Sequence, residues 1–148
     1  MRNVDVEQLI PHRGNMRLIE AAQEVTNRYA SSISTVRETW PLQQENGVSP
    51  LVLIELVAQT SALTVGWEDF QKNCQAGDKS RGWLVGIKKA RFFIDLLPME
   101  SCITTTCEII SSMDGYSVIQ GAAYIGPELG GEVTLQVLRA DKEMHGVT

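Results

Sequence analysis

Histidine is scarce in this chain of 148 residues: there are two, and with His145 in the C-terminal tail, His12 is the one imidazole before it. Cysteine is scarce as well. The three thiols, Cys74, Cys102 and Cys107, are odd in number and show no Cys-x-x-Cys spacing, which fits neither a disulfide framework nor a zinc site. Reduced thiols in the cytoplasm are the expectation. The N-terminal stretch carries Asp5, Glu7 and Pro11 and lacks the apolar core of a signal peptide. Linkers, internal repeats and low-complexity segments are missing too, so a single domain over residues 1–148 is expected. A net charge of −5, with no basic groove interleaved among the aromatics, argues against a nucleic-acid binder.

What the chain does have is apolar residues, 43% of the total against 21% charged, the balance of an ordinary globular domain able to bury a core without disulfides or metal. The densest apolar stretch runs from Ser49 to Trp67. Ser49 has the side chain of an N-cap and Pro50 suits a first helical turn. Leu51, Val52, Leu53, Ile54, Leu56, Val57 and Ala58 then follow in nearly unbroken order, so the predicted helix is apolar on almost every side and has to be enclosed. Glu55 and Gln59 inside it favour a protein core over a bilayer. The two are four residues apart and share one helix face. A carboxylate enclosed there is expected to have a raised pKa, as a general acid does. A glutamate at the helix edge, bonded to a loop amide, is the alternative.

The rest of the chain reads mostly as strands. Val4 to Ile10 suits a short helix ended by Pro11, and Arg17–Thr26 and Tyr29–Arg37 suit a hairpin turning at Thr26-Asn27-Arg28. Glu38 to Val48 has the composition of a loop, as does Gln71 to Ser80. Four strands are expected over Trp83–Ile94, Ser101–Ser112, Tyr116–Ile125 and Glu132–Ala140, with Asp114-Gly115 a strong hairpin signal and Pro127 to Gly131 a glycine-rich turn. About six antiparallel strands and one apolar helix give an α+β fold in which the sheet wraps the helix.

Three stretches, in order, resemble one family. Leu9-Ile10-Pro11-His12-Arg13 with Met16-Arg17-Leu18-Ile19-Glu20, then Leu53-Ile54-Glu55-Leu56-Val57-Ala58-Gln59, then Val85-Gly86-Ile87-Lys88-Lys89-Ala90-Arg91-Phe92 with Pro98 beyond, are similar to the hotdog-fold 3-hydroxyacyl-acyl-carrier-protein dehydratases. The segments Pro11-His12-x-x-x-Met16 and Ala58-Gln59-Thr60 look closer to a divergent branch, the dehydratase-like proteins of aryl-polyene pathways. The resemblance implies a hotdog fold, a homodimer or an assembly of dimers, and an acyl thioester of acyl carrier protein or CoA bound at the subunit interface. It implies dehydration of a 3-hydroxyacyl group, with no metal or organic cofactor and no membrane partner. Glu55 matches the helix carboxylate of the family, which the resemblance implies is contributed across that interface.

The second catalytic residue of such dehydratases does not carry over. Their histidine, in a Gly-His-Phe-Pro segment fourteen positions before the acid, falls here on Pro41, and their carbonyl-binding glycine falls on Pro50, which has no N–H. His12 is the substitute base that the divergent branch suggests, with Arg13 beside it and Gln59 as substrate-binding residues and the amides of Leu51 and Val52 as carbonyl donors. A turn residue that orders the first strand is the other reading of His12. Lys79, Arg81, Lys88, Lys89 and Arg91 form an acid-free basic run in an acidic chain. This run suits either a lysine-protected sheet edge or, through Lys88, Lys89 and Arg91, a docking patch for an acidic carrier protein. Two rivals share the fold: a thioesterase in which Glu55 activates water, and a non-catalytic acyl-binding or heterodimer subunit.

Overall fold

The computed structural model describes residues 5–72 and 81–140. Helix α1 (Val6–Leu9) is capped by the Asp5 carboxylate, which accepts from the Glu7 amide. A 3₁₀ turn over Gly14–Met16 follows. Then come β1 (Ala21–Val25), β2 (Tyr29–Thr35), β3 (Gln43–Gln44), β4 (Gly47–Val48), helix α2 (Val52–Gln71), β5 (Arg81–Phe92), β6 (Leu97–Pro98), β7 (Cys102–Met113), β8 (Tyr116–Ile125) and β9 (Glu128–Ala140). Six strands form one antiparallel sheet in the order β1-β2-β7-β8-β9-β5, and its inner face packs on α2. This is the hotdog arrangement.

Part of the inner surface, on β2, β7 and β8, consists of small residues beneath the helix. Ala30 and Ser32 of β2 stand opposite Cys107 and Thr105 of β7, and these stand opposite Gly121 and Ala123 of β8. Residues this small let α2 lie close to the strands, and Leu53, Leu56, Val57 and Leu63 are fully enclosed. Burial of each such side chain contributes about 1.5–3 kcal/mol. The sheet covers only part of the cylinder, however. Leu51 is exposed and Ile54, Glu55, Ala58, Ala62 and Val65 are only half-buried, so one stripe along α2 stays open, contrary to the expected full enclosure. A single curved sheet reaches round one side of a helix, and closing the other takes a second body. No helix among the described residues is long and apolar enough to cross a membrane.

Several boundaries differ from expectation for local reasons. The helix continues through Gly66 and ends at Gln71, where the expected loop begins. Gly66 serves close packing there, since a Cβ would lie 1.8 Å from the carbonyl oxygen of Leu9 in α1. β1 starts four residues later than the Arg17 expected, because the chain at Met16 and Leu18 bonds to α2 and not to a neighbouring strand. The predicted loop over 38–48 contains β3 and β4, which join β6 in a small second sheet, with Asn46 at a left-handed φ of 71°. β9 begins at Glu128, so the turn shortens to Gly126-Pro127. Gly131 belongs to the strand, and a Cβ there would sit 2.9 Å from Leu53 Cδ1. The Asp114-Gly115 hairpin forms as expected, with both residues at positive φ, 54° and 84°. Cys74, Lys79 and the loop over 73–80 lie outside the described residues.

Candidate active site

The N-terminal segment is folded onto the open stripe of α2. Pro11 follows the C-cap residue Ile10, and Arg13 then fastens the turn: its Nη1 donates to the carbonyls of Ile10 and His12 at 2.7 and 2.8 Å, and its Nη2 to that of Glu7 at 2.7 Å. Arg13 thus serves the backbone of this segment as a structural clamp. The clamp sets the direction of His12, whose Nε2 lies 3.8 Å from Glu55 Oε1. The imidazole is 28% exposed and the carboxylate 46% exposed, so both remain accessible from one side. His12 Nδ1 is buried without a hydrogen-bond partner among the described residues, which makes Nε2 the nitrogen available for proton exchange.

Two sequence expectations for α2 change. Glu55 is not shut away from water within one chain, because it lies on the stripe that the sheet leaves open. Its partner is also not a loop amide: Gln59 Nε2 donates to its Oε1 at 2.9 Å. Gln59, expected to line a ligand tunnel, is 0% exposed and faces inward. At the start of the helix Ser49 takes up the amides proposed as carbonyl donors. The Leu51 N–H donates to Ser49 Oγ at 3.3 Å and the Val52 N–H to the Ser49 carbonyl at 3.1 Å. The first contact is long and ends on a hydroxyl that can rotate; the second closes the helical turn. Of the two amides, only that of Leu51 is positioned to be released to a ligand.

Lys88, Lys89 and Arg91 are exposed on β5, the edge strand of the large sheet, and Arg91 stacks over the Phe93 ring at 5.4 Å. Ala90, between them, packs on the cluster of Val57, Val133 and Leu135, on which Ile54 and Ala58 of α2 also pack, so the basic run lies on a strand that shares this cluster with the helix. The side chain of Arg81 lies outside the described residues, as Lys79 does. Trp40 is buried and Trp67 stacks on Phe70 at 5.8 Å, so both belong to the packing. Pro41, on which the histidine position of the family falls, lies exposed next to Trp40. Ser49, expected as the N-cap, receives the Leu51 amide, while the inward orientation of Gln59 is not given by the sequence. The Ala58-Gln59-Thr60 run was the signal for Gln59, but sequence does not tell which way an amide on a boundary position turns.

Comparison with known proteins places this geometry. Compared with curated protein sequences, the chain matches none. Among solved structures, the dehydratase heterocomplex ApeI:P from Xenorhabdus doucetiae superposes with a TM-score of 0.84 at 18% identity, over 99% of this chain and 97% of that one. A virulence protein from Campylobacter jejuni gives 0.70 at 13% identity, covering 93% and 96%. A hypothetical thioesterase from Streptococcus pneumoniae, solved with coenzyme A, gives 0.63 at 11% identity, covering 82% and 85%. These likenesses establish the fold. Residues 4–147 match the family described as ApeP-like, ApeP dehydratase, and the chain belongs to that family.

Proposed function

We propose that this protein binds a 3-hydroxyacyl thioester, carried by acyl carrier protein or CoA, and dehydrates it. The carrying observation is the 3.8 Å approach of His12 Nε2 to Glu55 Oε1 within one chain, both groups partly exposed. Dehydration requires a base for the C2 proton and an acid for the C3 hydroxyl, and these leave from adjacent carbons. His12 takes the C2 proton at Nε2, the carbon–carbon double bond forms, and Glu55 protonates the departing hydroxyl as water. His12 then holds the proton that Glu55 has lost, and their closeness allows its return. The Leu51 amide, released by Ser49, donates to the thioester carbonyl at the helix N-terminus. Membership of the family supports this reading. In the cell the reaction belongs to the cytoplasm, in fatty-acid or polyketide-type synthesis.

A second hotdog chain closes the stripe Leu51, Ile54, Ala58 and Ala62, forming the wall of the acyl site. That chain is a second copy or a different subunit, and the likeness to a dehydratase heterocomplex supports the latter. The test is turnover of a 3-hydroxyacyl-N-acetylcysteamine thioester by the protein alone and with its partner, in variants Glu55→Gln and His12→Ala. Each is expected to lower kcat about 100-fold or more. Full activity in both variants overturns the proposal. Release of free thiol in place of an enoyl product would assign the site to a thioesterase, and carrier binding without turnover in any assembly would leave a binding subunit.

A further inference from the structure

Met16 ends the 3₁₀ turn that follows His12, and its side chain is 73% exposed, whereas Leu18 and Ile19 just beyond it are buried in the core. A single exposed apolar side chain is ordinary; its place is what matters here. The Met16 N–H closes the turn by donating to the Arg13 carbonyl at 3.1 Å, and the Met16 carbonyl accepts from Gln59 Nε2 at 2.8 Å. The same nitrogen donates to Glu55 Oε1 at 2.9 Å, so the Met16 backbone is a fixed neighbour of the carboxylate while its thioether side chain stands free in solvent. Along α2 the groups therefore follow in order: the carbonyl donor at Leu51, the acid at Glu55, and Met16 fastened at Gln59, one turn further on. A thioester carbonyl held at Leu51, with its C3 hydroxyl at Glu55, directs C4 and the carbons beyond it toward Met16. One turn is about 5.4 Å, which an extended alkyl chain spans in about four carbons. We infer that Met16 is a specificity-determining residue whose unbranched, adaptable side chain packs on the acyl chain at about C6 to C8. This rests on the dehydration reading of the same site.

The test compares two chain lengths on the assembly that shows turnover. Wild type, Met16→Ala and Met16→Leu are assayed with the N-acetylcysteamine thioesters of 3-hydroxybutanoate, whose chain stops short of Met16, and of 3-hydroxyoctanoate, with Glu55→Gln alongside. Met16→Ala is expected to lower kcat/KM for the octanoyl substrate about 10-fold, as the loss of apolar contact with about two methylene groups would, and to leave the butanoyl substrate within about twofold. Met16→Leu keeps the apolar bulk and is expected to stay within about threefold of wild type on both. A residue that only ordered the turn, or only sealed the contact with a second chain, would lower both substrates alike. An equal loss on the two substrates, or an unchanged octanoyl value in Met16→Ala, overturns the inference; where Glu55→Gln is inactive, the dehydration reading survives that result. Wild-type turnover in Glu55→Gln, or no enoyl product from the wild-type assembly on either thioester, removes the dehydration reading and the inference with it.

Discussion

His12 and Glu55 meet within a single chain, Nε2 to Oε1 at 3.8 Å, with no second subunit needed to bring them together. If the dehydration reading holds, acid and base belong to the same chain, and chains impaired in different members of the pair cannot rescue one another. Equal amounts of His12→Ala and Glu55→Gln protein, unfolded together and reassembled, are expected to show no more activity than the separate variants. A pair assembled across a dimer would instead recover about a quarter of the wild-type rate, from one intact site in half of the assemblies. Rate measurements on the mixed sample decide between the two.

Gly66 shows where a general helix rule reverses. In an exposed helix interior, Gly to Ala stabilises by about 1 kcal/mol. Here the added Cβ would fall 1.8 Å from the Leu9 carbonyl oxygen and 2.6 Å from its carbon, both rigid backbone. Gly66→Ala is therefore expected to destabilise, by about 1–3 kcal/mol as for other overpacked sites, and to displace α1. A lowered midpoint in denaturant at unchanged slope is the expected result.

Near the C-terminal end of α2 the Glu68 carboxylate is held below its usual range, first by the hydrogen bond from Arg139, with Lys72 at 3.0 Å adding to it against the opposing effect of burial. A folded-state pKa below the unfolded one gives stability that is present above the unfolded value and is lost as pH falls through the folded value. Glu68→Gln should accordingly lower the thermal midpoint at neutral pH and change it much less at strongly acidic pH. Equal effects at both would remove the ion pair as the cause.

Much of the fold was legible because its signals are local. Asp114-Gly115 carries its own hairpin chemistry, Pro11 ends a helix by what it lacks, and the apolar run after Pro50 has no place but a core. Glu55 and His12 were legible as residue types and motif positions. The enclosure of Glu55 was overestimated because apolar density shows that a helix is buried, without saying which body covers each side. Gly66 carries no local signal of its role, since contact with Leu9, 57 positions earlier, is what requires it. The roles of Arg13 and Gln59 were hidden for the same reason. Which carbonyl a long side chain reaches depends on how two distant segments meet.

Burial pushes the Cys107 thiol up to about 12, while Cys102 is exposed on the same strand. At pH 8 the thiolate fraction of such a buried group is about one part in ten thousand. Cys107 should therefore resist iodoacetamide in the native protein while Cys102 is alkylated, and peptide mass spectrometry after a short exposure distinguishes them. Rapid native modification of Cys107 would mean that β7 opens away from α2.

The basic residues of β5 make a separate prediction about the carrier. Lys88 and Lys89 are exposed on an edge strand whose Ala90 packs on the same cluster as Ile54 and Ala58 of α2, so an acidic domain docked there would lie on the strand that shares this cluster with the helix of Glu55. Reversal of both charges, Lys88→Glu with Lys89→Glu, is expected to raise KM for an acyl-carrier-protein substrate about 10-fold or more at low salt. The rate on a short N-acetylcysteamine thioester, which has no acidic domain, should stay within about twofold. Added salt should shrink the difference between wild type and variant, because exposed charges are screened beyond about 10 Å at 0.1 M ionic strength. An equal loss on both substrates would place the two lysines in the edge's own structure and would assign carrier docking to another surface.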